Sequence, residues 1–212
     1  MNNLEKEAIM WLEKSLKPLR QELNELDWKC QLSENTNRLT QHISAFANYK
    51  GDDFDGSRFS HACVLRRGLE FGIDPADVCL VGLRSWEDQE IDLIENGGLH
   101  VFTAADVAER GMKVVASEVR RVLAKCDAVH ISFDIDALDP SAAPGTGIPD
   151  YGGLSMREVL ILIKALQGLP LTGLDLVEVA PPLDPSEATV FAALKIIMEF
   201  IAVVARGKNH AG

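Results

Sequence analysis

Hydrophobic positions divide the chain near residue 40. Before that point Ile9, Leu12, Leu16, Leu19, Leu23 and Leu26 recur at alternating spacings of three and four. That rhythm lays one apolar stripe along a helix. Pro18 falls inside it, and a residue with no N–H and a fixed φ breaks a helix interior. The pattern predicts two helices, near residues 3–14 and 18–29, folded as a hairpin that covers a core. A partner-binding or oligomerising helix is the other reading. Residues 33–40 are polar and read as a loop, and residues 41–46 make a weak strand.

From about residue 59 helical and apolar-run segments alternate. Helices are predicted over 59–70, stopped by Gly72, and over 87–95, stopped by Gly97 and Gly98. Thr103 caps a brief helix over 104–110, and a longer one follows over 112–125. Ser155 opens another, with Glu158 completing a capping box. Ser186 or Glu187 opens the last, which is apolar on most faces until Ala205. Between them the short apolar runs 77–83, 100–102, 128–133 and 173–179 read as strands, with 128–133 as the central one. Strands alternating with helices predict an α/β protein, a three-layer α-β-α domain around a mostly parallel sheet. The expected organisation is a helical segment over 1–40 and an α/β domain over 41–212, together one globular unit. Ligands of such sheets collect beyond the strand C-terminal ends.

Composition changes this picture little. The chain has 212 residues, 47% hydrophobic, enough for one domain with a sizeable core. Its 32 acidic and 21 basic residues give a net charge of −11. With no basic stripe, a nucleic-acid or anionic-membrane partner is not expected. A cationic substrate is compatible with this charge, and so is plain solubility. Cys30, Cys63, Cys79 and Cys126 show neither disulfide-framework nor zinc-site spacing. Cys79 and Cys126 sit beside apolar runs and read as small buried hydrophobes. The charged start lacks a signal-peptide core, and Lys195 and Glu199 interrupt the apolar stretch 190–204, so no membrane span is expected. A reducing, cytoplasmic setting follows.

Candidate chemistry gathers at the end of the 128–133 run. Asp134, Asp136 and Asp139 follow it, in the string SFDIDALDP at 132–140. A period-2 strand puts Asp134 and Asp136 on one side. Two adjacent carboxylates repel unless a cation neutralises them, and such oxygen pairs suit Mn²⁺ or Mg²⁺. The alternative is a strand ending in a solvated Asp-Pro turn.

Three further segments join this one. They are APGTGIPDYGGLS at 143–155, GLDLVEVAPPLDP at 173–185 and GSRFSHACVLRR at 56–67. Together the four strings resemble the ureohydrolase family of arginases and agmatinases, most closely its agmatinase-like branch, over roughly residues 52–206. The resemblance implies an arginase-like fold, commonly oligomeric, here a homo-oligomer. It implies hydrolysis of a guanidinium C–N bond, agmatine to putrescine and urea, by hydroxide held between two manganese ions. It aligns Asp134 and Asp136 with two metal ligands, His61 with the active-site histidine, and Glu178 with the carboxylate that pairs with guanidinium. Thr146 falls in the loop that shapes the pocket wall.

The same resemblance exposes a gap. Where the family has an Asp-Ala-His-x-Asp ligand run, this chain reads Ser44, Ala45, Phe46, Ala47, Asn48. Serine has no charge, phenylalanine no lone pair, and asparagine only a neutral carbonyl oxygen. The family's earlier Gly-Gly-Asp-His motif is absent, an expectation consistent with residues 1–51 replacing the ancestral segment through a truncated or shifted reading frame. The cluster Asp52, Asp53, Asp55 is a candidate replacement for the lost ligands, or a solvated run before a turn. His130 reads as a core or helix-facing residue, His100 as structural, His42 as a sheet-edge residue and His210 as part of a tail. Three functions remain open: a degenerate ureohydrolase, a working one completed by unusual ligands or another subunit, and a non-catalytic binding or assembly subunit joined to an active paralogue.

Overall fold

The computed structural model describes residues 63–86 and 90–208, together with the backbone of residues 41–44. The expected helical hairpin, Phe46, Asn48, the Asp52–Asp55 cluster, His61 and His210 lie outside the described residues, as does the side chain of His42.

The strands run Gln41–Ser44 (β1), Cys79–Leu83 (β2), His100–Thr103 (β3), Val129–Asp134 (β4) and Leu171–Val177 (β5). They form one sheet in the order β3-β2-β1-β4-β5, and every pairing is parallel. The helices are Val64–Glu70 (α1), Ile91–Asn96 (α2), Ala104–Arg110 (α3), Met112–Leu123 (α4), Met156–Ala165 (α5) and Ala188–Lys208 (α6).

The side-chain period of two sorts the layers. Cys79 and Val81 of β2 join the main core with α4, α5 and the inner face of α6. Val78 and Leu80, one residue out of step, pack with Ile73, Leu65 and Leu69 of the α1 side. A strand buried on both faces is what a covered parallel sheet requires, and all five residues of β2 are buried. In α4 the buried residues are Met112, Val115, Ala116, Val119, Val122 and Leu123, one face at helical spacing. Gly82 has φ +88, and a Cβ there would lie 3.0 Å from Leu154 Cδ1, so strand and loop meet only over a glycine.

The expected capping box of Ser155 with Glu158 is present, and Thr103 caps its helix as expected, with Asp106 closing a second box that the sequence reading did not place. Cys79 and Cys126 are buried, and desolvation pushes their thiols up to about 12 and about 11. Several expectations need correction. The central strand is β1, with β4 between it and β5; the short, weakly patterned run at 41–44 is ordered by neighbours on both sides. β5 begins at Leu171 and ends at Val177, so Glu178 lies just beyond it. Asp136 is not on a strand either: β4 ends at Asp134, whose side chain accepts from Asp136 N and starts a 3-10 turn over Ile135–Ala137. Finally, Ala188–Gly207 is long and apolar enough to cross a membrane by length and composition. Lys195 and Glu199 do not break it, because one turn apart they pair at 2.5 Å. Its inner residues Ala193, Ile196 and Val203 nevertheless belong to the core of this domain.

Candidate functional site

The C-terminal end of β4 carries two buried carboxylates. Asp134 is 1% exposed and Asp136 8%. Asp134 Oδ1 accepts the Asp136 N–H at 2.9 Å, which folds the turn back and keeps both residues at this end of the strand. Asp134 Oδ2 and Asp136 Oδ1 are buried with no hydrogen-bond partner among the described residues. Burial pushes the Asp134 carboxyl up to about 8, and the nearby charges of Asp136 and Glu178 add to this. Burial also raises Asp136, against the hydrogen bond from Asp134 and the positive charge of Arg84. An acid pair this uncomfortable calls for a cation or a proton.

Arg84 follows β2 directly. Its Nη2 donates to the Asp136 carbonyl at 2.5 Å and to the Asp150 carbonyl at 2.9 Å, and its Nε reaches the same Asp150 oxygen at 3.2 Å. Ser85 Oγ donates to Asp150 Oδ2 at 2.5 Å. The loop from Asp139 to Ser155 is thus tied in its middle to the end of β2. Its base is closed by a parallel bridge of Leu138 with Leu154, and Gly152 N donates to Asp139 Oδ2 at 3.0 Å.

Thr146, within this loop, is 2% exposed, and its Oγ1 has no partner among the described residues. One residue on, a Cβ at Gly147 would stand 3.8 Å from Glu178 Oε2, so the loop and the residue after β5 face each other. Glu178 is exposed and holds φ 63, a left-handed conformation that costs a non-glycine residue energy. Strain of this kind concentrates where a side chain must be aimed.

The first half of the loop is held by a further buried acid. Asp184 Oδ1 accepts from Ser186 N and Oγ, and Oδ2 from Thr189 N and Oγ1. Thr189 Oγ1 in turn accepts the Gly145 N–H at 2.7 Å. A Cβ at Gly145 would lie 2.6 Å from Asp184 Cβ, so this close approach needs glycine. The Ser186 hydroxyl, then the Thr189 amide, hold the Asp184 carboxyl down at about 2.

The structure therefore brings together Asp134, Asp136, Glu178 and the Thr146 loop at the C-terminal edge of β4 and β5. Ser44 ends β1 in register with Ser132 of β4, at the same sheet edge. His130 does not join the pocket: its Nε2 lies 2.6 Å from Asp175 Oδ2, which also accepts from Ser132 Oγ at 2.7 Å. It is half-buried and pairs with an acid on β5, outside the candidate ligand set as expected. His100 Nε2 lies 3.1 Å from the Ala76 carbonyl, a structural role as expected. Sequence reading missed Arg84, Asp150, Asp184 and Thr189. A signal existed for Asp184, an Asp-Pro-Ser run ahead of a helix. Arg84 offered only a charge placed directly after a fully buried strand.

A covered parallel sheet with an acidic pocket beyond its C-terminal ends defines an α/β protein of ligand-binding or enzymatic layout. The chain belongs to the arginase family, whose model matches residues 40–203. An agmatinase from Chromobacterium violaceum is 37% identical over 172 residues, covering 81% of this chain and 51% of that protein. A guanidinopropionase from Pseudomonas aeruginosa is 31% identical over 167 residues, covering 77% and 52%. Among solved structures, a hypothetical agmatinase from Burkholderia thailandensis superimposes with a TM-score of 0.73 at 32% identity, covering 84% of this chain and 55% of that one. Proclavaminate amidinohydrolase from Streptomyces clavuligerus gives 0.72 at 34% identity, with 78% and 56% covered. The fold is the arginase-like α/β fold. The chain spans about half the length of the curated relatives it matches.

Proposed function

We propose that this chain is an agmatinase-like ureohydrolase whose metal centre is reduced to Asp134 and Asp136, and that it hydrolyses agmatine to putrescine and urea slowly or not at all. The carrying observation is the pair of buried, unpartnered oxygens, Asp134 Oδ2 and Asp136 Oδ1. Hard anionic oxygens of this kind fit Mn²⁺ or a similar ion. Among the described residues, however, no group of three or more His, Cys, Asp or Glu could hold a metal ion. Two carboxylates suit one weakly held ion and not a two-ion centre. The resemblance puts three lost ligands at Ser44, Phe46 and Asn48, none of which supplies an anion. A divalent ion in such a pocket supplies Lewis acidity.

The other residues keep their family roles in this reading. Glu178, exposed beside the Thr146 loop, pairs with the guanidinium group through charge-assisted hydrogen bonds. His61 moves the proton to the leaving amine. Thr146 shapes the pocket wall. The test compares urea release from agmatine, with added Mn²⁺, by the unmodified chain and by the variant carrying Ser44→Asp, Phe46→His and Asn48→Asp. The restored variant should hold more metal and release urea faster. Rapid release by the unmodified chain would refute the reduced-centre reading.

A second reading, a non-catalytic assembly subunit, is favoured by the outer face of α6. Phe191, Leu194, Met198 and Ile201 are exposed there at spacings of three, four and three. That is the rhythm of a helix–helix seam. The chain would then join an active paralogue through this face, and failure of the two to co-elute at micromolar concentration by light scattering would count against it.

A further inference from the structure

We propose that Arg84 is a positioning residue of the acidic pocket: it draws the Asp134–Ala137 turn and the middle of the Asp139–Ser155 loop together, and so fixes the aim of the Asp136 carboxylate. The inference rests on reading Asp134 and Asp136 as a cation site. The Arg84 side chain is 8% exposed. It serves two chain segments that are 52 and 66 residues away in sequence. Both are gripped by main-chain oxygen, so the contacts constrain the backbone and not merely a side chain.

The chemistry calls for an arginine. A planar fork presents several N–H groups at fixed angles, and a lysine ammonium on a flexible stem cannot hold two carbonyls in one plane as firmly. Holding the Asp136 carbonyl limits rotation of that residue's peptide, which in turn limits where its carboxylate points. Asp150 is gripped a second time through its side chain, by Arg84 Nε at 3.4 Å and by Ser85 Oγ at 2.5 Å. Among the described residues, the loop's other fastenings lie at its base, by Leu138 and Leu154, and at Gly145. The span that carries Thr146 and faces Glu178 lies between those fastenings.

The guanidinium is only partly engaged by these contacts, which use Nε and Nη2. Its Nη1 is buried and has no partner among the described residues.

Residues that orient ligands without touching the ion commonly change metal affinity by about 10–100-fold when removed. The test uses Arg84→Met, Arg84→Lys and Asp150→Ala in the full chain, at a temperature where circular dichroism shows each folded. Mn²⁺ affinity by calorimetry should fall roughly 10-fold or more in Arg84→Met. It should be partly rescued in Arg84→Lys and fall least in Asp150→Ala, which keeps both carbonyls. Unchanged affinity in a folded Arg84→Met overturns the proposal. If the unmodified chain takes up no Mn²⁺, the cation reading fails on its own account, and amide exchange of the metal-free protein decides about Arg84. Faster exchange at Gly152 and Leu154, with Ile131 and Phe133 unchanged, supports positioning. Unchanged exchange, or an equal rise throughout β4 and α4, marks Arg84 as merely structural and overturns it. If Arg84→Met does not fold, the same criteria are applied to Arg84→Lys.

Discussion

Two buried acids, Asp134 at the end of β4 and Asp184 in the turn before α6, meet opposite fates. Asp184 accepts from two backbone amides and two hydroxyls, and its carboxyl is held down at about 2. Asp134 accepts one amide, its Oδ2 has no partner among the described residues and lies beside a second buried acid, and its carboxyl is pushed up to about 8. The fold thus solves the burial of a carboxylate completely at one place and leaves it unsolved at another. Buried polar groups without partners are rare, and they mark a strain reservoir or a missing ligand. Asp184 is a structural knot, and Asp134 with Asp136 is the pair proposed above to hold a cation.

The comparison can be broken at several points. The largest effect is expected for Asp184→Ala, which strands four donors and releases Gly145 and the start of α6. Its melting midpoint should fall by roughly 5 °C or more, and more than that of Asp134→Asn. An equal or smaller fall would remove the distinction between knot and site.

Next comes pH dependence, where the two acids have opposite signs. The Asp184 pKa is depressed on folding, so its contribution is fully present above the ordinary carboxylate range near 4 and is lost as pH falls toward about 2. The Asp134 pKa is raised, so the unfolded chain sheds its proton first. Stability of the metal-free protein should therefore decline as pH rises from near 4 toward about 8. Thermal melts in chelator across this range should show that decline, and Asp134→Asn should flatten it. A decline that persists unchanged in Asp134→Asn would assign it to other groups.

A smaller effect is expected from added Mn²⁺. At millimolar concentration it should raise the melting midpoint by a few degrees, through binding to the folded state alone. The double variant Asp134→Asn with Asp136→Asn should lose that shift. The smallest effects belong to the helix caps far from the contrast. Thr103→Ala and Ser155→Ala should each cost about 1 kcal/mol by denaturant melts, with no change in Mn²⁺ response.

What the sequence disclosed follows the range of each interaction. Thr103 with Asp106 and Ser155 with Glu158 are local pairs, so both caps were legible along the chain. The β2 run was legible because burial on both faces leaves it wholly apolar. The carboxylates at Asp134 and Asp136 stood out as acids after a buried strand, although the turn that replaced the strand at Asp136 did not. Arg84 was hidden because its partners are 52 and 66 residues distant. Asp175 was hidden for the same reason, and with it the surface pairing of His130. Glu178 was placed one element too early because the apolar run continues past the last paired residue, Val177.

The central claim is that Asp134 and Asp136 form a cation site too sparse for a working ureohydrolase centre. The direct measurement is metal content per chain after Mn²⁺ loading and desalting, with urea release from agmatine assayed in the same sample. The account expects well under one ion retained and little or no urea. Two ions retained, with rapid urea production, would contradict it.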